Sequence, residues 1–314
     1  MGYFLGADGG GTQTTAWLAD GRGRILARCR GGPSNPLKVG SRGAQQVILQ
    51  AVTGALRRAR LKAVTFDAVC VGLAGVDRLQ IHRPLLKWLR KAVPAHFHLL
   101  TTDAAIALRA ACGHSPGILV ISGTGSIACA CDEDGKMVRA GGWGVRFDDA
   151  GSGYDLGRKA VSAALRDFDG RGPHTRLTKR ICQALDLHQI TEVVAQDLPL
   201  QQIAGLFPVV MEASRRRDAV ARLLCEEAGH ELADLALALL RRLGWQRRAV
   251  SIVCAGGVFQ AGGVIRRSFT RHVGRHAPRA RTVLLRREPV EGALALAREA
   301  VVRRKVPPGY DPGE

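Results

Sequence analysis

The chain has no long apolar stretch and no recognisable export segment. No run among its 314 residues approaches the roughly 20 apolar residues of a membrane-spanning helix. The segment from Met1 to Gly10 lacks the basic and apolar regions of a secretion signal. We therefore expect a cytoplasmic protein without a membrane partner.

Aromatic residues are scarce, although the chain is strongly basic. Only 5% of the residues are aromatic, while 46 lysine and arginine residues against 27 acidic ones give a formal net charge of +19. Proteins that bind single-stranded nucleic acid interleave basic side chains with aromatic ones on which bases stack, and no such interleaving occurs here. The basic residues occur instead as scattered pairs, such as Arg57-Arg58 and Arg266-Arg267. We expect no specific nucleic-acid partner, and a basic surface that attracts anionic nucleotides.

The eight cysteines are scattered and include no Cys-x-x-Cys pair. Only Cys129 and Cys131 lie close together, and on a strand they would point to the same side. Zinc sites usually need further cysteine or histidine ligands at set spacings. We therefore interpret the cysteines as small, reduced core residues.

The first glycine-rich segment, Asp8-Gly9-Gly10-Gly11-Thr12-Gln13-Thr14, lacks the Gly-Lys-Ser/Thr ending of a P-loop. It follows a short apolar run that predicts a buried strand. An acidic residue at the end of a strand can hold Mg²⁺, and consecutive glycines let backbone N–H groups approach phosphate oxygens. Thr12 and Thr14 add hydroxyl donors. Taken alone, the segment also fits an ordinary glycine-rich hairpin.

A similar unit recurs later in the chain. Ser122-Gly123-Thr124-Gly125-Ser126 follows the apolar run Ile118–Ile121, as the first loop follows Tyr3–Ala7. Each loop is followed by a predicted strand, an Asp-Gly turn and a further strand, which indicates two related domains. The two loops together predict a triphosphate site, with Thr124 and Ser126 as the second pair of hydroxyl donors.

A third glycine turn and one aspartate complete the candidates. Ala255-Gly256-Gly257 follows a predicted strand and could hold a base and ribose against its backbone, or be a plain strand-to-helix turn. Asp103 stands where a strand gives way to a helix, at the sheet edge where open α/β sheets bind ligands. Its carboxylate could act as a general base or simply cap the helix.

Apolar periodicity predicts an α/β protein. Strands are predicted at residues 3–7, 14–19, 24–28, 66–73, 97–101, 118–121, 127–131, 136–140, 249–254 and 282–285. Helices are predicted at residues 41–60, 78–92, 104–112, 174–187, 200–214, 219–243 and 289–303.

These motifs together resemble those of the N-acetylglucosamine kinase family, within the BadF/BadG/BcrA/BcrD-type ATPases. The resemblance runs in order along nearly the whole chain, through Asp8–Thr14, Thr102–Ala104, Gly123–Ser126, Gly141–Gly144, Asp149 with Gly151–Tyr154, Ala255–Val258 and Pro289–Leu294. It implies an α/β fold of two actin-like (ribonuclease H-like) domains, each a mixed sheet flanked by helices, separated by a cleft. The implied domains cover residues 1–112 and 113–288, with a C-terminal helix at 289–304 packed back on the first domain and a flexible tail at 305–314.

The resemblance implies an ATP-dependent kinase that phosphorylates the 6-hydroxyl of an amino sugar, first of all N-acetylglucosamine. Asp8 resembles the Mg²⁺-linked aspartate, and Asp103 resembles the catalytic base, which also contacts the sugar. The implied ATP contacts are Gly9, Gly10, Gly11, Thr12, Thr14, Gly123, Thr124, Gly125, Ser126, Gly256 and Gly257. The implied sugar contacts are Asn35, Gly75, Gly142, Trp143, Gly144 and Asp149. We expect ATP and Mg²⁺ as cofactors and a homodimer.

One segment departs from the family pattern. The usual Gly-Asp-Glu-Gly-Ser reads Asp148-Asp149-Ala150-Gly151-Ser152 here, so Ala150 replaces an acidic residue beside the sugar. Arg146 and Asp148 add charge nearby, and Asp155 stands where an aromatic residue is common. Glucosamine or N-acetylmuramic acid is therefore an alternative acceptor.

Two other function classes are alternatives. An activator ATPase of a dehydratase needs cysteines in glycine-rich loops, and neither Cys112 nor Cys131 lies in such a loop. A non-catalytic sugar sensor would bind sugar without phosphoryl transfer, and the intact Asp8, Asp103 and paired loops argue against it.

Overall fold

The computed structural model describes residues 2–132 and 137–305. The predicted tail beyond residue 305, and most of the Asp-Gly turn predicted after the second glycine loop, lie outside these ranges. The described chain divides into two units, one of residues 2–117, 129–132, 137–138 and 285–305, the other of residues 118–128 and 139–284. No helix within the described ranges has the length and apolar character needed to cross a membrane.

Ten strands and eleven α-helices lie in the described ranges. The strands are β1 (Tyr3–Gly9), β2 (Thr14–Asp20), β3 (Ile25–Gly31), β4 (Phe66–Leu73), β5 (Ala95–Thr102), β6 (Gly117–Ser122), β7 (Ser126–Cys131), β8 (Met137–Gly141), β9 (Ser251–Ala255) and β10 (Arg281–Leu284). The helices are α1 (Pro36–Arg58), α2 (Leu79–Ala92), α3 (Asp103–Cys112), α4 (Gly153–Phe168), α5 (Leu177–Leu185), α6 (Leu200–Ala204), α7 (Phe207–Arg215), α8 (Ala219–Arg242), α9 (Gly257–Ala261), α10 (Gly263–His276) and α11 (Pro289–Arg303). A 3₁₀ helix covers Ile190–Ala195.

The first unit is built on a mixed sheet with strand order β3-β2-β1-β4-β5. Side chains alternate between its two faces, as the period of a strand requires. Leu5 and Val69 lie in a core shared with α1 and α2, whereas Phe4 and Ala68 lie in a core shared with α3 and α11. Both faces are therefore covered by helices, which explains why β4 reads as a continuous apolar run.

The register of this sheet brings two strand ends to one edge. β1 runs parallel to β4, with Asp8 opposite Gly72, and β4 runs parallel to β5, with Leu73 opposite Thr102. The carboxyl ends of parallel strands meet at the edge where open α/β sheets bind ligands. Asp8 at the end of β1 and Asp103 just after β5 therefore lie at the same edge.

The second unit contains most of a second five-stranded sheet, with order β10-β9-β6-β7-β8. β9 and β10 are parallel. The long helix α8 packs mainly against α10, and also against α7 and α4. The predicted α/β architecture of two mixed, helix-flanked sheets is thereby confirmed.

Three predicted helices are wrong at their ends. The helix predicted from residue 41 begins at Pro36, capped by Asn35, and continues across a non-helical residue at Gly40. The helix predicted at 200–214 is two helices, because Gly205 is a poor helix former and Pro208 has no N–H to donate within a helix. The helix predicted at 174–187 covers only Leu177–Leu185.

Candidate active site

The first glycine loop joins β1 to β2 and is anchored by its own backbone. The Gly10 N–H donates to the carbonyl oxygen of Gln13 at 2.9 Å. The Gly10 carbonyl oxygen in turn accepts from the N–H groups of Ser34 and Asn35 at 3.1 and 3.2 Å. This anchoring fixes the loop against the segment that begins α1. A Cβ at Gly9 would overlap the Ser34 side chain, so only glycine fits there.

The two threonines of this loop have different environments. Thr12 is exposed at the tip. Thr14 is fully buried, and its hydroxyl donates to the carbonyl oxygen of Gly32 at 2.8 Å and lies 2.7 Å from the Ser34 hydroxyl oxygen. Only Thr12 has a hydroxyl available to a ligand, whereas Thr14 holds the loop to the segment after β3.

Asp8 and Asp103 are two largely buried carboxyl groups at the sheet edge. Burial, together with the smaller effects of the nearby charges of Asp103 and Glu288, raises the pKa of Asp8 to about 7. Burial also raises the pKa of Asp103, with a smaller contribution from Asp77. Perturbed carboxyl groups of this kind are typical of functional sites.

The N-cap of α3 is Thr102, the residue before Asp103. The Thr102 side chain accepts from the Ala105 N–H at 3.1 Å, so Thr102 is the N-cap of α3. Asp103 is the first helical residue, and its Oδ1 accepts from the Ala104 N–H at 2.9 Å. Because the cap is already supplied, the buried Asp103 carboxyl group is not explained by capping.

Asn35 and Gly75, two predicted sugar contacts, lie together in the first unit. The Asn35 Oδ1 accepts from the Leu37 N–H at 2.9 Å and so caps α1. Gly75 has φ of +77°, and a Cβ there would lie 2.9 Å from the Asn35 Oδ1. The oxygen of Asn35 is thus used by the fold, and its amide NH₂ group is the half that can serve a ligand.

Lys38, which was not among the predicted site residues, lies over the first glycine loop. A Cβ added at Gly11 would lie 3.0 Å from the Lys38 Nζ. The ammonium group therefore lies directly beside the backbone of the predicted phosphate loop. A single basic residue three positions after a helix cap is a weak signal, and no motif in the sequence identifies it.

The second glycine loop lies between β6 and β7 and is held by the start of α4. The carbonyl oxygen of Gly123 accepts from the Gly153 N–H at 2.8 Å, and that of Thr124 accepts from the Tyr154 N–H at 3.2 Å. The buried Ser126 hydroxyl donates to the carbonyl oxygen of Ala150 at 2.8 Å. As in the first loop, the threonine at the tip is exposed and the hydroxyl two residues later is committed to the fold.

Asp149 is buried and bound to this loop. Its Oδ1 accepts from the Ser126 N–H at 3.3 Å, and a Cβ at Gly125 would lie 2.7 Å from its Oδ2. Burial raises the pKa of Asp149, and Asp148 adds to the shift. Asp149 also has φ of +64°, an uncommon conformation for a residue with a side chain. The predicted sugar contact thus lies in direct contact with the predicted phosphate loop.

The remaining glycine segments of the second unit differ in exposure. Trp143, between Gly142 and Gly144, is 66% exposed, and the Arg139 guanidinium lies 4.3 Å from its ring centre. Gly256 has φ of +95°, and a Cβ there would overlap the backbone of Ser122. The predicted adenosine loop, which continues to Gly257, therefore packs against the start of the second glycine loop.

Asp155 is committed to contacts with its own helix and the turn before it. Its Oδ2 accepts from the Gly151 N–H at 3.0 Å and lies 2.8 Å from the Lys159 Nζ. Its Oδ1 accepts from Arg158 at 3.0 Å. This carboxylate therefore fixes the turn between Asp149 and α4.

The predicted residues form one set in each unit. The first unit holds Asp8, Gly9, Gly10, Gly11, Thr12, Thr14, Asn35, Gly75 and Asp103. The second holds Gly123, Thr124, Gly125, Ser126, Gly142, Trp143, Gly144, Asp149, Gly256 and Gly257.

The cysteines are not joined by disulfides in the part of the chain that the structure describes. No group of three or more His, Cys, Asp or Glu residues there could hold a metal ion. Burial raises the pKa of both Cys112 and Cys131 to about 11, which keeps these thiols protonated at neutral pH.

The chain is similar to known proteins over the whole region that contains the predicted site residues. A model of the BadF/BadG/BcrA/BcrD ATPase family matches residues 5–297. An N-acetylmuramic acid/N-acetylglucosamine kinase of Clostridium acetobutylicum is 31% identical, over 95% of this chain and 99% of the relative. An N-acetyl-D-glucosamine kinase of Dictyostelium discoideum is 28% identical, over 94% of this chain and 97% of the relative.

A solved structure shows the same fold over the same span. A Chromobacterium violaceum protein, provisionally assigned as an N-acetylglucosamine kinase, is 30% identical with a TM-score of 0.76. The match covers 94% of this chain and 98% of that protein. The family match over residues 5–297 runs from before the first glycine loop to beyond the third glycine turn.

Proposed function

Because the chain belongs to the BadF/BadG/BcrA/BcrD ATPase family, we propose that it is an ATP-dependent kinase that phosphorylates the 6-hydroxyl of an amino sugar. N-acetylglucosamine is the first acceptor we assign, since all three similar proteins above carry that sugar in their names. The observation that carries the proposal is the pair Asp8 and Asp103. These two largely buried carboxyl groups lie at one sheet edge, beside a glycine loop in which a Cβ at Gly9 would overlap the Ser34 side chain.

Asp103 is the proposed base. The sugar O6 attacks the γ-phosphorus of ATP, the bond from that phosphorus to the bridging oxygen breaks, ADP leaves, and the hydroxyl proton passes to Asp103. A carboxylate with a raised pKa accepts a proton more readily than an exposed one. Its Oδ1 is held by the Ala104 N–H, which leaves Oδ2 to orient the hydroxyl.

Asp8 is the residue that would hold Mg²⁺. Magnesium in phosphoryl-transfer sites is bound through one or two carboxylates together with phosphate oxygens and water, so a cluster of three protein ligands is not required. The mutual repulsion of Asp8, Asp103 and Glu288, which raises the Asp8 pKa, is what a bound cation would relieve. When bound, the ion would neutralise charge on the β- and γ-phosphates.

The glycine loops are the proposed phosphate contacts. Thr12 and Thr124, the exposed hydroxyls at the loop tips, are assigned to phosphate oxygens, together with the backbone N–H groups of the loop glycines. Thr14 and Ser126 are assigned a supporting role, because their hydroxyls are already hydrogen-bonded inside the protein. The backbone of Gly256 and Gly257 is assigned to the adenosine.

The test is an ADP-release assay coupled to a colour reaction, run with each candidate sugar. The sugars are N-acetylglucosamine, glucosamine, N-acetylmuramic acid, N-acetylmannosamine and glucose. We expect the highest kcat/KM with N-acetylglucosamine, and a loss of about 10²–10⁴-fold in kcat for Asp103→Asn with ATP still bound. Turnover close to normal in Asp103→Asn would remove Asp103 from its role, and no turnover with any sugar would favour a sensor.

N-acetylmuramic acid is the second acceptor that a specific observation favours. Arg146 is exposed on the loop that leads to Asp149, and Ala150 stands where the resemblance to the family implies an acidic residue. Because position 150 carries no acidic side chain, the positive charge of Arg146 is free to pair with the carboxylate of the lactyl group of N-acetylmuramic acid. We expect Arg146→Gln to lower kcat/KM for N-acetylmuramic acid and to leave that for N-acetylglucosamine unchanged.

The assembly and compartment proposed with this function are a homodimer in the cytoplasm. Light scattering coupled to size-exclusion chromatography tests the dimer. The activator class is tested by iron content after anaerobic purification, and we expect none, since burial keeps Cys112 and Cys131 protonated.

A further inference from the structure

A second candidate binding site lies in the first unit, outside the residues assigned to ATP and sugar. It is a pocket of about 350 Å³, lined by Thr15, Trp17, Arg28, Arg30, Arg58 and Glu288. A volume of this size is at the lower end of the range for small-molecule sites. Three of the six lining side chains are arginines.

The antiparallel pairing of β2 and β3 builds this pocket. Thr15 lies opposite Arg30, and Trp17 lies opposite Arg28. Residues opposite each other, and those two positions apart, present their side chains on the same face of the sheet. Thr15 and Trp17 are buried and form the floor, while the two arginines are exposed and form one wall.

Two of the three guanidinium groups are held in place. The Arg28 guanidinium lies 4.1 Å from the centre of the Trp17 ring, in a cation–π contact. Arg58, near the end of α1, donates from Nη1 to the carbonyl oxygen of Arg28 at 2.8 Å. Arginines fixed in this way lose less conformational freedom when they bind an anion.

The charges of the three arginines are not paired with a carboxylate among the residues that the structure describes, 2–132 and 137–305. Glu288 is the single acid among the lining residues. Three positive charges and one negative charge leave a net charge of about +2 around the pocket, which matches a phosphate monoester at neutral pH.

We propose that this pocket binds a small phosphate monoester, of about the size of a sugar phosphate. Arginine is the side chain best suited to phosphate, because its planar guanidinium donates two parallel hydrogen bonds to it. Thr15 adds a polar side chain to the floor of the pocket.

The pocket begins at β2, one strand away from the sheet edge at which Asp8 lies. Asp8 lies opposite Thr15 on β2, and Thr15 lies opposite Arg30 on β3. Neighbouring strands are about 5 Å apart, so the Cα atoms of Asp8 and Arg30 are about 10 Å apart. Glu288 lines the pocket and also acts on Asp8 electrostatically. The pocket is therefore a separate site that borders the proposed catalytic edge.

The experiment is isothermal titration calorimetry with inorganic phosphate and with glucose 6-phosphate, at low salt and without nucleotide. We expect binding of one equivalent of glucose 6-phosphate, weaker binding of inorganic phosphate, and a loss of affinity at high salt. Arg30→Gln should weaken the binding of both probes about tenfold or more. Arg58→Gln is a second variant of the same pocket and should act in the same direction.

Arg57→Gln is the matched control, because Arg57 is the exposed neighbour of Arg58 on α1 and does not line the pocket. Equal affinities for Arg30→Gln and Arg57→Gln, or no binding by the unaltered chain, would overturn the proposal. Loss of binding in Thr12→Ala with full binding in Arg30→Gln would also overturn it, because the probe would then occupy the glycine loop. The measurement needs no turnover, so its outcome is separate from that of the kinase assay.

Discussion

Gly292 of α11 lies against the backbone carbonyl of Ile106 in α3, so these two helices touch through main-chain atoms. A Cβ added at Gly292 would overlap the Ile106 oxygen and lie 2.7 Å from the Ala110 nitrogen. Because α3 begins at Asp103, this contact fixes the helix that carries the proposed base.

Gly292→Ala should therefore impair both stability and activity. The added methyl group cannot enter without moving α3 away from α11, so we expect a loss of about 1–3 kcal/mol in the free energy of unfolding. We also expect a lower kcat, because the position of Asp103 depends on α3. Urea denaturation and the ADP-release assay measure the two effects.

Gly274→Ala is the control for that substitution. Gly274 lies in α10, and among the described residues only its chain neighbours and the backbone of its own helix lie within 4 Å of the Cβ that alanine would add. Alanine has the higher helix propensity, so we expect a gain of about 0.5–1 kcal/mol and unchanged kcat. Equal stability of Gly292→Ala and the unaltered chain would show that the helices separate without cost.

The local parts of the candidate site could be predicted from the sequence. The first glycine loop follows a strand that is recognisable as a short apolar run, and Pro289 marks the start of α11. Such signals depend on a few neighbouring residues, which makes them visible in a single sequence. Whether Asp103 is a cap could not be decided, since Thr102 and Asp103 are both good capping residues and stand side by side.

The tertiary parts of the site could not be predicted. Lys38 reaches the first glycine loop because α1 begins beneath it, and Gly256 touches Ser122 across 134 positions of sequence (256 minus 122). The hydrogen bond from the Thr14 hydroxyl to the carbonyl oxygen of Gly32 also depends on the path of the chain after β3. These contacts follow from packing, for which local pattern carries no signal.

In each glycine loop, we expect the exposed hydroxyl at the tip to contribute to catalysis and the buried hydroxyl two residues later to contribute to stability. Thr12→Ala and Thr124→Ala remove exposed hydroxyls, so we expect kcat/KM for ATP to fall about tenfold or more with little change in stability. Thr14→Ala and Ser126→Ala remove hydroxyls that are hydrogen-bonded in the interior, at a cost of about 1–2 kcal/mol. Steady-state kinetics and urea denaturation of the four variants test this division, which fails if both residues of a loop behave alike.

Asp8 should destabilise the ligand-free protein at alkaline pH. Its pKa rises from about 4 when unfolded to about 7 when folded, so between these values the folded state binds more protons. The free energy of unfolding therefore falls as pH rises through this window, and the loss is complete above pH 7. Asp8→Asn lacks this titration and should have the higher Tm at pH 8, by a few degrees, with a smaller difference at pH 5. Calorimetry in EDTA without nucleotide measures it, and a lower Tm for Asp8→Asn at pH 8 would contradict the argument.

Glu299 should matter more for stability than its exposed partner. Its Oε2 lies 2.7 Å from the Arg109 Nη2, and both side chains are buried. Its Oε1 pairs with Arg303 at 2.6 Å, and that side chain is 48% exposed. Glu299→Gln leaves the Arg109 charge buried without a carboxylate, at a cost of about 3–5 kcal/mol, whereas Arg303→Gln should cost about 0.5 kcal/mol or less. Urea denaturation of the two variants at neutral pH measures both losses in the free energy of unfolding. Similar losses would show that the buried ion pair stabilises the protein no more than the exposed one.

Asp103 should set the acid limb of the pH–rate profile. A base must be deprotonated to accept a proton, so kcat/KM for the sugar should fall as pH drops through the raised Asp103 pKa. Asp77 is exposed and contributes to that raised pKa, so Asp77→Asn should move the acid limb to lower pH. Asp197→Asn, which removes an equally exposed acid in the second unit, should leave the limb where it is. An acid limb that shifts equally in both variants, or activity that rises towards low pH, would mean that a group other than Asp103 accepts the proton.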